Sequence, residues 1–296
     1  TPKGVKIISP STKAVSDLAI PELTNKKILF LFSDGTTLWI GASGEGLIRF
    51  DPENKKITLS QNLYSDFPRN FYTAQKSHDG RFIYFGSSKG IHQFNVKTNT
   101  FNYINDFPSE LGNISRLSTV DKYGTRWFTL NNGIVGFTKR NKKRVIQDKK
   151  KLVSTDFQTL NSDNYGNLIL GTNKGISILL LDDRGVVQSV KTYSGKSGFS
   201  GYETRMNAQF QAQNSIYVGT VEGLYLINTS VLQRLPVPTK PFIIRVKSGA
   251  QNSNEQNTFE FNFHINNPKV DDIQYKYRMI GLSDEWSLCS PKNSVR

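Results

Sequence analysis

Chemistry needs reactive side chains brought together, and this 296-residue chain offers few. Its histidines are His78, His92 and His264, and its one cysteine is Cys289. They are too scattered to compose a Ser/His/Asp or Cys/His nucleophilic set or a metal-ligand motif, and one cysteine excludes an intrachain disulfide. Four acids recur at a near-constant interval, Asp34, Asp79, Asp121 and Asp163, each followed within three residues by glycine. Cleavage of a glycosidic bond needs two carboxylates converging in one cleft. Acids at equivalent positions of a repeat are spread around it instead. The chain therefore reads as a binding protein, with no enzymatic activity, metal or cofactor expected. Its candidate ligand-binding residues are Tyr64, Arg69, Asn70, Lys89, Asn132, Lys174, Tyr202, Arg205 and Asn207. Guanidinium forks suit carboxylate and sulfate groups, and tyrosine rings are available for stacking. The glycine-rich loop SGKSGFSGYETR, residues 194–205, adds the kind of long connection that often carries function on a rigid scaffold.

A repeat must position these residues. Five segments share one pattern: a turn, a strand ending in glycine, a tight turn with a second glycine, and another strand. They run Ser33–Asp51, His78–Asn95, Asp121–Thr138, Asp163–Leu180 and Gln213–Asn228. The second glycines, Gly46, Gly90, Gly133, Gly175 and Gly223, are 44, 43, 42 and 48 residues apart. That period fits one four-stranded propeller blade, and the short apolar runs bounded by Gly, Asn and Asp exclude helical repeats. First strands are expected at Ile28–Phe32, Phe71–Gln75, Ile114–Val120 and Ala208–Ala212, and fourth strands at Lys56–Ser60 and Phe101–Ile104. The second glycines should adopt positive φ in the hairpin turns. Trp39 and Trp127 occupy the same repeat position as Tyr84 and Tyr217, as a shared slot for packing between blades requires. The candidate residues then fall at one mouth of the propeller, on fourth-to-first connections and second-to-third turns.

The repeats stop near Asn228, and Pro236, Pro238 and Pro241 mark a stiff linker. Alternation returns in Phe259–Phe261–Phe263–Ile265 and Ile273–Tyr275–Tyr277–Met279. These predict strands of a small, partial β-sandwich with Trp286 in its core. The expected organisation is all-β: a propeller over 1–235 and an immunoglobulin-like partial sandwich over 236–296.

Hydrophobic residues at 36%, with 19 Phe, 12 Tyr and 3 Trp, mark a folded chain. The longest apolar run, Ile28–Phe32, is far too short to cross a membrane. The net charge of +14 suggests a polyanionic partner, but half of it sits in Lys139–Lys151, which holds eight basic residues and one acid. That run falls on the third-to-fourth strand connection and outer strand of the third unit. It reads first as a charged, solvated blade edge that discourages edge-to-edge pairing, with an anion-binding or membrane-surface patch as the alternative, and no nucleic-acid groove is implied.

The units resemble the regulator-propeller repeats of hybrid two-component sensors. The resemblance rests on Asn25, Asn70, Asn113 and Asn207 ahead of the first strands, LWIG at Leu38–Gly41 and GLIRF at Gly46–Phe50. The segment IQYKYRMIGLSDEWS, Ile273–Ser287, is similar to the core of the three-tyrosine domain that follows such propellers. Three features depart from that family: Thr129 replaces the first glycine of the third copy, five units with an opening remnant at Lys3–Ser9 fall short of the usual seven, and the three-tyrosine segment lacks its later tyrosine. The resemblance implies a fragment of a sensor histidine kinase ectodomain. That fragment would face the periplasm, bind an oligosaccharide, acidic or neutral, form a homodimer, and signal across the membrane to regulate transcription. The alternatives are a propeller platform for protein interaction and, behind it, a polysaccharide lyase or hydrolase.

Overall fold

In the computed structural model the described residues are 4–18, 20–60, 66–147, 152–195, 199–201, 203–233, 242–249, 258–264, 275–281, 285–288 and 294–295. Regular structure among them is strands and a few single 3-10 turns. Two compact units emerge, Thr1–Ser230 and Val231–Arg296.

The first unit is a run of β-propeller blades. A two-stranded sheet, β1 (Lys6–Ile8) with β2 (Val15–Asp17), precedes blade one, formed by β3 (Ile28–Ser33), β4 (Leu38–Ala42), β5 (Gly46–Asp51) and β6 (Lys56–Ser60). Blade two is β7 (Phe71–Lys76), β8 (Phe82–Ser87), β9 (Gly90–Asn95) and β10 (Thr100–Ile104). Blade three is β11 (Ser118–Val120), β12 (Arg126–Leu130), β13 (Gly133–Phe137) and β14 (Lys143–Ile146). Blade four is β15 (Phe157–Ser162), β16 (Leu168–Thr172), β17 (Gly175–Leu181) and β18 (Val187–Tyr193). Blade five shows three strands, β19 (Thr204–Ala212), β20 (Ser215–Thr220) and β21 (Leu224–Asn228). Every blade is an antiparallel meander in sequence order, and the first strands of successive blades adjoin one another.

Alternation along each second strand makes the blades stack. In β4, Ile40 packs toward the β1–β2 sheet with Val5, Ile20 and Leu23, while Trp39 packs into blade two with Phe85 and Phe94. In β8, Phe85 faces blade one and Tyr84 faces blade three, where its ring stacks on Phe137 at 4.4 Å. Trp127 of β12 does the same against Leu168, Leu170 and Leu179 of blade four. A strand covered on both faces is shielded along its whole length, and β12 and β16 are buried at every position. The shared aromatic slot is thus an inter-blade contact, as its repetition predicts.

Two local differences from the sequence reading have physical causes. Four second glycines take positive φ, Gly46 (78°), Gly90 (96°), Gly175 (134°) and Gly223 (138°), but Gly133 does not. There the requirement is close approach, since a Cβ would overlap the Leu111 side chain and the Ile146 carbonyl. The first strand of blade three begins at Ser118 and not at Ile114. At Gly41, Gly86, Gly171 and Gly219 a Cβ would collide with first-strand atoms of the same or the next blade. Thr129 holds that position in blade three, and its hydroxyl accepts the Leu117 N–H (3.2 Å), while Ser115 N–H turns to the Ser87 carbonyl (2.9 Å).

The second unit contains an antiparallel three-stranded sheet of β22 (Phe242–Gly249), β23 (Thr258–His264) and β24 (Ser294–Val295), with β23 central. The alternating stretch around Tyr275–Met279 is not the strand it predicts: residues 276–279 are irregular. Tyr277 exchanges backbone and side-chain bonds with Ser287 instead. Trp286 is not in a core either. It is 54% exposed, and Lys276 and Arg278 lie over its ring at 5.0 and 5.3 Å. A cation on the indole face is compatible with water in a way that aliphatic packing is not.

Candidate functional site

One edge of the first unit is built the same way five times. A residue of each second-to-third turn donates its N–H to a carbonyl in the segment entering the first strand. The pairs are Ser43 to Lys27 (2.9 Å), Ser88 to Asn70 (3.0 Å), Asn132 to Leu111 (2.9 Å), Asn173 to Asp156 (3.3 Å) and Val221 to Glu203 (3.0 Å). Bonds from Gly46 N–H to the Arg69 carbonyl and from the Thr204 hydroxyl to the Thr172 carbonyl stitch neighbouring blades along this edge. The mouth is therefore a rigid rim of backbone-tied turns.

The sequence candidates divide on it. Arg69, Asn70, Lys89, Asn132 and Lys174 lie on this rim. Three spend their polar groups on the scaffold: Asn70 Oδ1 accepts Gly44 N–H (2.9 Å), Lys89 pairs with the Asp66 carboxylate, and Asn132 Nδ2 donates to the Glu110 carbonyl (2.9 Å). Arg205 lies beside Glu203 (3.8 Å), and Asn207 holds a left-handed conformation (φ 58°) where the β19–β20 register shifts. Tyr64 and Tyr202 lie outside the described residues.

A cavity of about 400 Å³ opens on the rim between blades three and four. Asn132 is the one sequence candidate that lines it; Arg116, Asn131, Thr155 and Asp156 complete its polar wall, with Phe157 and Ile114 below. Arg116 is exposed, with its guanidinium 5.9 Å from the Tyr72 ring. Asn131 Oδ1 accepts Ile114 N–H (2.8 Å), and Asp156 accepts from the Gln158 amide (3.1 Å), so both side chains are oriented before any ligand arrives. The cavity sits beside Thr129, in the blade that lacks the first glycine. There Leu117 is tied to Thr129 just ahead of β11, its N–H going to the Thr129 hydroxyl (3.2 Å) and its carbonyl accepting the Thr129 N–H (3.0 Å). One guanidinium, one carboxylate and two amides give a charge-balanced wall of donors and acceptors, chemistry that suits hydroxyl groups. Arg116 was legible as the one charge in the entry ISRLSTV; Asp156 carried no comparable signal.

The repeating acids are structural. Asp34 accepts the N–H groups of Thr36 and Thr37, the Thr37 hydroxyl and the indole N–H of Trp39 (2.9 Å). Burial alone raises its pKa, but these bonds, led by Trp39, outweigh it and hold the carboxyl well below the usual range. Asp121 receives the Trp127 indole N–H (2.7 Å) and turn amides in the same way. The Ser77 hydroxyl, followed by Arg81, lowers Asp79 to about 2. Asp163 binds the N–H groups of Tyr165 and Asn167. Each carboxylate closes its own turn. Burial lowers His92 to about 4, leaving the imidazole neutral between the rings of Phe71 and Tyr103. Among the described residues no three His, Cys, Asp or Glu side chains lie close enough to hold a metal, and no helix is long and apolar enough to cross a membrane.

No family model and no curated protein matches the chain. Solved structures do. The extracellular domain of the hybrid two-component system BT3049 of B. thetaiotaomicron superposes with a TM-score of 0.72 at 19% identity, over 99% of this chain and 43% of that one. The extracellular domain of BT4673, a hybrid two-component system of the same organism, gives 0.62 at 13%, over 100% and 44%. The WD40 repeats of RRP9 give 0.51 at 11%, over 69% and 61%. The chain thus spans less than half the length of the two sensor-system domains it matches, and it has the β-propeller fold found in extracellular domains of hybrid two-component systems.

Proposed function

We propose that this chain is a non-catalytic, ligand-sensing part of the periplasmic ectodomain of a hybrid two-component sensor. Its ligand is an oligosaccharide that seats in the cavity between blades three and four. The observation that carries the reading is the preformed wall of Arg116, Asn131, Asn132, Thr155 and Asp156 in that cavity. The fold shared with sensor-system extracellular domains supports it. Binding would shift the population of ectodomain arrangements, and the parent protein would relay that shift to a kinase and a transcriptional response. Calorimetric titration with neutral and acidic oligosaccharide panels tests the reading. Saturable binding that weakens at least tenfold in Asn131→Ala or Arg116→Ala supports it; no binding across both panels, or turnover of the glycan, refutes it.

A second reading, a homodimerisation or docking platform, is favoured by the exposed apolar face of blade five, formed by Phe210, Tyr217, Leu224 and Leu226. Sedimentation separates the two: association without oligosaccharide supports the platform.

A further inference from the structure

The opposite edge of blades three and four carries a second cavity, of about 310 Å³. Five cations surround it: Lys139, Arg140 and Lys142 from the β13–β14 turn, Arg144 from β14, and Arg184 from the β17–β18 turn of the next blade. The one carboxylate in its lining is Asp183, and the hydroxyls of Tyr123, Thr125 and Thr138 complete the polar wall. Part of the basic run that reads as a solvated edge is thus folded around a concavity.

The cations are placed by the scaffold. Arg144 Nε donates to the Arg184 carbonyl (3.0 Å) and bridges the two blades. Arg184 lies against Asp182 through Nε (3.3 Å) and Nη2 (3.1 Å), and Asp182 is fixed in turn by the N–H groups of Arg184 and Val186. The stem of Lys139 crosses the β11–β12 turn at Gly124, whose φ is +79° and where a Cβ would strike Lys139 Cε. Lys143, by contrast, points away and pairs with Asp106. Among the described residues no carboxylate lies within 4 Å of the charged groups of Lys139, Arg140, Lys142 or Arg144. Charges spread along an edge to protect it would diverge into water. These converge from two blades, and their mutual repulsion is relieved when an anion enters. A singly charged carboxylate leaves most of that charge uncompensated. A tetrahedral dianion presents three oxygens to guanidinium and ammonium donors arriving from different sides.

We propose that this cavity is a binding site for a sulfate or phosphate ester carried on a small soluble molecule such as a sugar. It lies on the opposite edge from the cavity at Asn131 and stands or falls independently of it.

Calorimetric titration of the full chain with a monosaccharide 6-sulfate, the corresponding 6-phosphate and the unmodified sugar tests this. Saturable binding of either ester but not of the unmodified sugar is expected. Affinity should fall more than tenfold in the double variant Lys142→Gln/Arg144→Gln and several-fold in the exposed single variant Arg140→Gln. Lys97→Gln, exposed on blade two and outside both cavities, should leave it unchanged. Binding should also weaken steeply with added salt. If the double variant fails to fold, Arg140→Gln alone decides. Unchanged affinity in the folded variants, equal binding of the unmodified sugar, or binding confined to vesicles of anionic phospholipid overturns the proposal.

Discussion

Trp127 in blade three has no exposed surface and lies against Leu168, Leu170 and Leu179 of blade four, its indole N–H tied to Asp121. Tyr217 holds the same repeat position in blade five and is 36% exposed, with Phe210 opposite it in the sheet 67% exposed. Both blades carry the same glycine-punctuated hairpin. The other face of blade five, at Ile216 and Val218, is as buried as any in the molecule. The difference lies in whether a sheet is covered once or twice. Hydrophobic stabilisation follows area removed from water, so the repeat specifies a blade only together with its neighbours. It also explains why the mouth cavity is well defined: blades three and four, which wall it, are the interior of the stack.

Four measurements break or sharpen this contrast. Trp127→Ala removes a fully buried side chain and should cost about 3–5 kcal/mol in denaturant unfolding. An effect below ~1 kcal/mol would mean that the inter-blade slot contributes little. Blade two adds a pH signature. His92 is held neutral with its pKa lowered to about 4, so between about pH 6.5 and 4 the unfolded chain binds a proton that the folded chain refuses. Stability should therefore fall as pH drops through that window, by up to about 3 kcal/mol. His92→Gln should flatten this fall, and an unchanged profile would deny the burial. Gly171→Ala forces a methyl against Thr159 and Thr204 where blades four and five adjoin and should cost about 1–3 kcal/mol. Tyr217→Ala should change stability by no more than ~1 kcal/mol, because much of that side chain is already in water. A cost equal to that of Trp127→Ala would show that its face is covered in solution.

The strands and their blades were legible because glycine spacing and apolar runs are local signals with a fixed period. Fourth strands at Lys56–Ser60 and Thr100–Ile104 fall where the polar alternation places them. The site was less legible. Asn132 was found because it stands at a repeat turn. Arg116 and Asp156 come together only through packing between blades, which single-chain spacing does not encode. The Thr129 substitution was visible as a departure from the pattern, but that its hydroxyl takes the Leu117 N–H just ahead of β11 depends on what the side chain meets in three dimensions. The tail misled for a related reason. Alternation from Ile273 to Met279 reads as a strand, yet residues 276–279 are irregular and Trp286 sits among cations.

Sugar binding in the cavity between blades three and four is the central claim. Backbone hydrogen exchange with and without a bound oligosaccharide, in the native chain and in Arg116→Ala, tests it directly. The expected result is slowed exchange at residues 114–117, 131–132 and 155–157 on binding, and loss of that slowing in Arg116→Ala at the same sugar concentration. Protection confined to other turns, or undiminished slowing in Arg116→Ala, would contradict it.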